Sequence, residues 1–302
     1  MAMDMDPPIN PTSPTDNHDE DDDAPDALID PAASLTYWNS VSADTTGMLG
    51  GFPQTSRIDL QGSHNFLTKL RRSAAAARQK KSTPSNDKGR NELLPQLGRA
   101  ADCGAGVGRV TNGFLRNVAA VVDVVEPVRK FTDALASSSS SSSVGGPAST
   151  TTTTPQRQGD KELQLQQLQG KIGTIVNLGL QDWTPPPSSY NLIWNQWCLG
   201  HLTDAQLVAY LVRCKDGLLL PSSSVSSPSS GGGEEAWIVV KENLSTDPWG
   251  KDIYDEVDSS VTRSDAKFRE LFAKAGLRVV RDEVQRGFPR DLFPVRMYAL
   301  RP

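Results

Sequence analysis

Short β-rich apolar runs separated by helical patterns leave this 302-residue chain few folds to choose from. The runs cover residues 99–103, 118–125, 172–178, 190–195 and 236–241. Each is continuous rather than alternating, as strands covered on both faces require. Helical periodicity fills 109–116, 128–136, 204–216 and 264–275. Thr203 or Asp204 offers an N-cap before AQLVAYLVRC, and Gly276 follows FRELFAKA as a C′ residue. Residues 276–286 and 295–301 alternate and predict a closing antiparallel pair. Regular β/α alternation with right-handed crossovers specifies an α/β fold on a doubly wound, mostly parallel sheet.

Four stretches lack the apolar surface to fold. Residues 1–33 form an acidic tail, expected to be disordered and dispensable for activity; 1–30 hold ten Asp or Glu and no Lys or Arg. Flexible inserts are expected at about 73–96, 137–160 and 221–235, the last two rich in Ser, Gly, Thr or Pro. Long insertions raise loop-closure entropy only slowly, so 34–302 reads as one decorated domain. With the tail set aside the chain carries +5, most of it in the +7 stretch 69–99. Opposed charged appendages on a neutral core do not read as a nucleic-acid surface. No apolar run reaches the ~18 residues of a membrane span. Cys103, Cys198 and Cys214 lie far apart, without the spacing of a metal site or disulfide framework, and favour a reducing compartment. We expect no metal, no membrane, a monomer, and a cytoplasmic location with the nucleus as a second compartment.

The segment Asp102-Cys103-Gly104-Ala105-Gly106-Val107-Gly108-Arg109 joins a strand to a helix. Alternate glycines let the backbone approach a ligand closely. The spacing is GxGxG rather than the GxGxxG of dinucleotide enzymes. Glu126, 18 residues beyond Gly108, ends the second strand, where an acid can accept ribose hydroxyls. No GxxxxGK[ST] loop is present. A GxGxG turn with a second-strand carboxylate looks like a class I S-adenosylmethionine-dependent methyltransferase. Arg109 would then pair with the methionine carboxylate. Leu180 and Gln181, after the third strand, suit the adenine, and Gln196, after the fourth, could reach the ligand.

The ordered set Tyr37-Trp38, GMLGGF, SRID, DCGAGVGR, GLQDWTP, IWNQWCLGHLTD, VKEN and DEVDSSVTR resembles the α-N-terminal protein methyltransferases over residues 37–301. The resemblance implies a Rossmann-like seven-stranded methyltransferase core with an N-terminal helical extension. It also implies methyl transfer from S-adenosylmethionine to Xaa-Pro-Lys protein N-termini, ribosomal proteins among them. By this resemblance Gly104, Arg109, Glu126, Leu180, Gln181 and Gln196 hold the cofactor. Trp38, Leu49, Trp197, His201, Asn243, Asp255, Asp258 and Ser260 line the peptide channel. Two positions depart from the family: Phe293 stands where Tyr can occur, and Glu126 replaces Asp.

These residue types suit the chemistry. An α-amine with pKa ~7.7–8 is largely protonated at pH 7 and must lose a proton before it can attack a methyl group. Asp258 and His201 are the expected proton acceptors, with Asn243 orienting the amine. Asp255, with Ser260, suits a third-position lysine, while Trp197, Leu49 and Leu292 form an apolar wall for proline. A methyltransferase acting on a small molecule or another protein amine, and a non-enzymatic module of the same fold, are the alternatives.

Overall fold

The computed structural model describes residues 24–79, 94–140, 169–219 and 236–302. Seven strands form one sheet: β1 (Leu97–Cys103), β2 (Ala119–Val125), β3 (Lys171–Val176), β4 (Leu192–Gln196), β5 (Trp237–Asn243), and a later pair, β8 (Arg278–Val284) and β9 (Val295–Arg301). Their order is β3-β2-β1-β4-β5-β9-β8. The first five are parallel, and β9 lies antiparallel to both β5 and β8. The expected doubly wound sheet and closing antiparallel pair are therefore observed. Order reverses between β1 and β4, which opens a crevice at their carboxyl ends.

Successive residues of the central strands point to opposite faces, and both faces are buried. On β4 and β5, Leu192, Trp194, Trp237 and Val239 join one cluster, while Ile193, Ile238 and Val240 join the other. The first face is covered by α3 (Ser56–Gln79) through Phe66, Leu67 and Leu70. The second is covered by α6 (Asp204–Gly217) and α7 (Asp265–Lys274), through Leu207, Leu211, Phe268 and Phe272. Thr203 caps α6 in a reciprocal box with Gln206, and Gly276 leaves α7 at φ 69°. The helix after the glycine turn is shorter than its periodicity: α4 spans Arg109–Gly113 and yields to a 3-10 turn, Leu115–Asn117. The next, α5, spans Arg129–Ser140.

Three expected boundaries move. Residues 24–33 are ordered. A 3-10 turn, Pro25–Leu28, leads into α1 (Pro31–Ser40), whose N-cap Asp30 accepts from the amides of Ala32 and Ala33. An Asp-Pro pair starts a helix, which the acid count of the tail concealed. Asp26 accepts from the Asp204 amide at the start of α6. The insert expected from 73 begins later, because the alanine run 74–77 extends α3 to Gln79 and Ala74 packs on the core. Ser137–Ser140, assigned to an insert, complete α5, and the remainder of the three inserts falls almost wholly outside the described residues.

Two small elements border the crevice. Helix α2 (Thr45–Met48) follows α1, and a hairpin of β6 (Ile253–Asp255) and β7 (Ser260–Thr262) follows β5. The hairpin is fastened to the N-terminal segment: the Asp30 amide donates to Ser259 Oγ at 2.7 Å. A chain beginning at Ser34 should therefore show lower turnover and a lower Tm than one beginning at Ala24, the lost cap alone costing about 1 kcal/mol. Equal turnover from the two would leave 24–33 without a part in the site.

Candidate active site

The glycine turn leaves β1 with Gly104, Gly106 and Gly108 all at positive φ, 67°, 55° and 76°. A side chain here would be both strained and blocked. A Cβ on Gly104 would lie 2.3 Å from Cys198 Cβ, and one on Gly106 would lie 2.4 Å from Met48 Sδ. The turn floors a cleft of about 380 Å³ at the carboxyl ends of β1, β2 and β4. Gly104, Arg109, Glu126, Leu180, Gln181 and Gln196 all line it. Glu126 is buried, and its two oxygens accept from the Gly106 amide at 2.9 Å and the Val128 amide at 2.8 Å. Burial raises its carboxyl, and the Val128 and Gly106 amides pull the other way. Each oxygen keeps a further lone pair for a hydroxyl donor. Asp102 takes a bond from Thr111 Oγ1, and burial pushes it up to about 7.

A buried ion cluster sets the cleft's inner wall, and the sequence did not reveal it. Asp59, fully buried on the first turn of α3, accepts from Arg109 Nη1 at 2.7 Å and from Gln196 Nε2 at 2.9 Å, and pairs with Lys241 Nζ at 2.5 Å. Lys241 also donates to Ser63 Oγ and Gln285 Oε1. Burial would raise the Asp59 carboxyl, but Lys241 and Arg109 reverse this and hold it below the usual range. Gln196 directs its Nε2 to both oxygens of Asp59 and accepts from Trp194 Nε1, which fixes its amide at the cleft wall.

A second cavity of about 480 Å³ adjoins the first. Leu49, Asn243, Asp255, Asp258, Ser260 and Leu292 line it, while Trp38, Trp197 and His201 line both. Phe293, at the position where the resemblance allows Tyr, also lines it. Among the described residues, Asp258 Oδ1 and Trp197 Nε1 are buried without a hydrogen-bond partner, and both residues line this cavity.

His201 departs from expectation. Trp38 Nε1 donates to its Nε2 at 3.1 Å, and Ser34 Oγ lies 3.0 Å from its Nδ1. An indole N–H can only donate, so Nε2 carries the lone pair and Nδ1 the proton. In this geometry both ring nitrogens of His201 are occupied, and neither offers a free acceptor. Burial lowers the His201 pKa, against the pull of Asp258. Because the folded-state pKa is depressed, the stability it contributes is present above its ordinary 6.5 and lost as pH falls through the folded value. Between pH 7.5 and 5 the wild-type Tm should fall more steeply than that of His201→Gln. Identical slopes would contradict a depressed His201 pKa.

The sequence of a family described as AdoMet-dependent proline di-methyltransferase matches residues 29–301. The chain belongs to this family. An alpha N-terminal protein methyltransferase 1 of Schizosaccharomyces pombe is 38% identical over 274 residues, 89% of this chain and 94% of its own length. An N-terminal Xaa-Pro-Lys N-methyltransferase 1 of Danio rerio is 32% identical, covering 88% of this chain and 92% of its own length. A solved SAM-dependent methyltransferase of Leishmania major is 30% identical with a TM-score of 0.61, covering 89% and 82%. This methyltransferase has the class I Rossmann-like fold and uses S-adenosylmethionine.

The residues present fit that cofactor. Beside the glycine cradle, two cations, Arg109 and Lys241, share one fully buried carboxylate, Asp59. Such a cluster favours a carboxylate from a ligand at Arg109, the only one of the two cations that lines the cleft. Asp59, Lys241, Met48 and Arg263 stand in the quoted segments SRID, VKEN, GMLGGF and DEVDSSVTR, where spacing assigned none of them a role. Arg263 is fully buried and donates to the carbonyls of Leu199 and Leu202 around His201. Its signal was available as the last residue of the quoted DEVDSSVTR.

Proposed function

We propose that this methyltransferase transfers methyl groups to the free α-amine of proteins that begin Xaa-Pro-Lys. The observation that carries the reading is Asp258 Oδ1, a buried acceptor without a partner among the described residues, on a residue lining a cavity that meets the cofactor cleft at Trp38, Trp197 and His201. The relatives' names, protein N-terminal and Xaa-Pro-Lys methyltransferases, support the substrate class.

When bound, S-adenosylmethionine supplies a methyl group on a sulfonium centre, open to attack by an amine lone pair. The chain's own residues make that lone pair available. Asp258 takes a proton from the terminal ammonium, and Asn243, on the same cavity wall, orients the amine through its amide oxygen. His201 stays neutral, which avoids a second cation beside a sulfonium. Each methylated nitrogen would be cationic again and would shed one proton to water before it could accept a further methyl, and Asp258 would return its own proton to water between turnovers. Holding the terminus in line removes reactant freedom before reaction and supplies much of the rate.

Specificity follows from the cavity walls. The indole of Trp197, with Leu49 and Leu292, gives a second-position proline a flat apolar seat. Asp255, exposed at the end of β6, pairs a third-position lysine, with the Ser260 hydroxyl beside it. An internal lysine side chain would have to bring the flanking backbone on both sides past Trp38 and Trp197, whereas a terminus enters alone.

A peptide panel tests this reading. Ser-Pro-Lys and Ala-Pro-Lys peptides should gain mass in 14-Da steps, about the mass of CH₂ that each methylation adds. Replacing the proline by Glu, or the lysine by Glu, should abolish the gain. Equal methylation across the panel would exclude Trp197 and Asp255 as specificity residues.

A further inference from the structure

Trp197 has an unusual backbone. Its φ is 54°, in the left-handed region that a bulky residue rarely adopts. Such a conformation persists only where its surroundings impose it. The turn that carries it leaves β4 and runs into the 3-10 segment Leu199–His201. The amides of Cys198 and Leu199 both donate to Glu242 Oε1, at 2.8 and 2.9 Å, and the Trp197 amide donates to the Lys241 carbonyl at 3.1 Å. Glu242 is 6% exposed and takes no part in the reaction described above. Cys198 also packs against Gly104, so the turn cannot slide toward the glycine cradle.

The ring presented by this turn stands where the two cavities meet. The Arg109 guanidinium lies 5.6 Å from its centroid, and Phe288 is 6.4 Å away at a tilt. Its Nε1 is buried without a partner among the described residues.

We propose that Glu242 is a positioning residue: its buried carboxylate holds the strained Trp197–Leu199 turn and so fixes the Trp197 indole as the wall that receives the substrate's second residue. The inference rests on the peptide-substrate reading above. A carboxyl suits this place because two adjacent amides converge on one oxygen; burial pushes it up to about 7 while the Leu199 and Cys198 amides pull it down, so the bonds strengthen as it ionises. A neutral amide at 242 either offers a weaker oxygen or turns its own N–H groups toward the two donors.

Glu242→Gln tests this against Trp197→Ala and the double variant. Above pH 7, where the carboxyl is ionised, the peptide KM should rise about tenfold, as loss of a hydrogen bond to a charged group predicts, with kcat changed far less. The Kd for S-adenosylhomocysteine should stay within about twofold, the scale expected away from the altered contacts. In the Trp197→Ala background the same substitution should add almost nothing to KM. The emission of Trp197, taken as the difference between the parent and its Trp197→Ala counterpart, should become more accessible to acrylamide when Glu242 is replaced. Equal KM losses in both backgrounds, or unaltered quenching, would overturn the assignment. Should Glu242→Gln fail to fold, Glu242→Asp, which withdraws the charge by one methylene, decides by the same readouts. A wild-type protein that leaves Ser-Pro-Lys peptides unmodified would sink the substrate reading, and quenching would then decide the role of Glu242 alone.

Discussion

Asp258→Asn should lower kcat about 10²–10⁴-fold, the range for loss of a positioned proton acceptor, while S-adenosylhomocysteine binds as before. The substitution keeps shape and volume. It leaves an amide that can align an amine but cannot take its proton at neutral pH. Because Asp258 lines the second cavity and not the cofactor cleft, cofactor affinity gives an internal control for folding. The defect should ease at high pH, where the α-amine, pKa ~7.7–8, is already deprotonated in water. A variant with wild-type kcat at pH 7 would remove Asp258 from proton transfer and leave the buried Oδ1 unexplained.

Asp59→Leu should be the most destabilising single substitution in the site. It strands Lys241, which is fully buried, and Arg109, whose side chain is 9% exposed, without their shared carboxylate. Breaking a buried pair from one side costs about 3–5 kcal/mol, which for a domain of this size lowers Tm by roughly 10 °C. Cofactor affinity should fall as well, because Arg109 and Gln196 both lose the group that orients them. Adding Lys241→Met should restore much of the Tm, since a buried cation without a partner is then replaced by an apolar chain of similar length. It should not restore cofactor affinity. If Asp59→Leu melts with the wild type, the cluster contributes nothing to the fold.

Much of this architecture follows from local pattern. The continuous apolar runs became strands because both faces of the sheet are covered, which removes any need for alternation. The residues expected to bind cofactor and substrate converge because they follow strand ends or flank the glycine turn, and a doubly wound sheet collects those ends in one crevice. What the pattern hid was long-range or small. Asp59 and Lys241 meet across 182 positions of sequence, and nothing near either residue announces the other. The three-residue strands β6 and β7 are at the lower limit of strand length and exist by packing on the N-terminal segment. The run of acids before Ala33 conceals an Asp-Pro helix start, since composition averages over the two residues that matter. The Trp38 bond to His201 depends on how α1 lies over the crevice, so spacing alone left His201 as a candidate acceptor.

Methyl transfer should reach the terminal nitrogen and no other. This is tested by incubating the protein with labelled S-adenosylmethionine and a Ser-Pro-Lys peptide, beside the same peptide N-acetylated, and locating the label by fragmentation mass spectrometry. The account predicts methyl groups on the free α-amine and none anywhere on the acetylated peptide. Label on the lysine ε-nitrogen, or on the acetylated peptide, would contradict it.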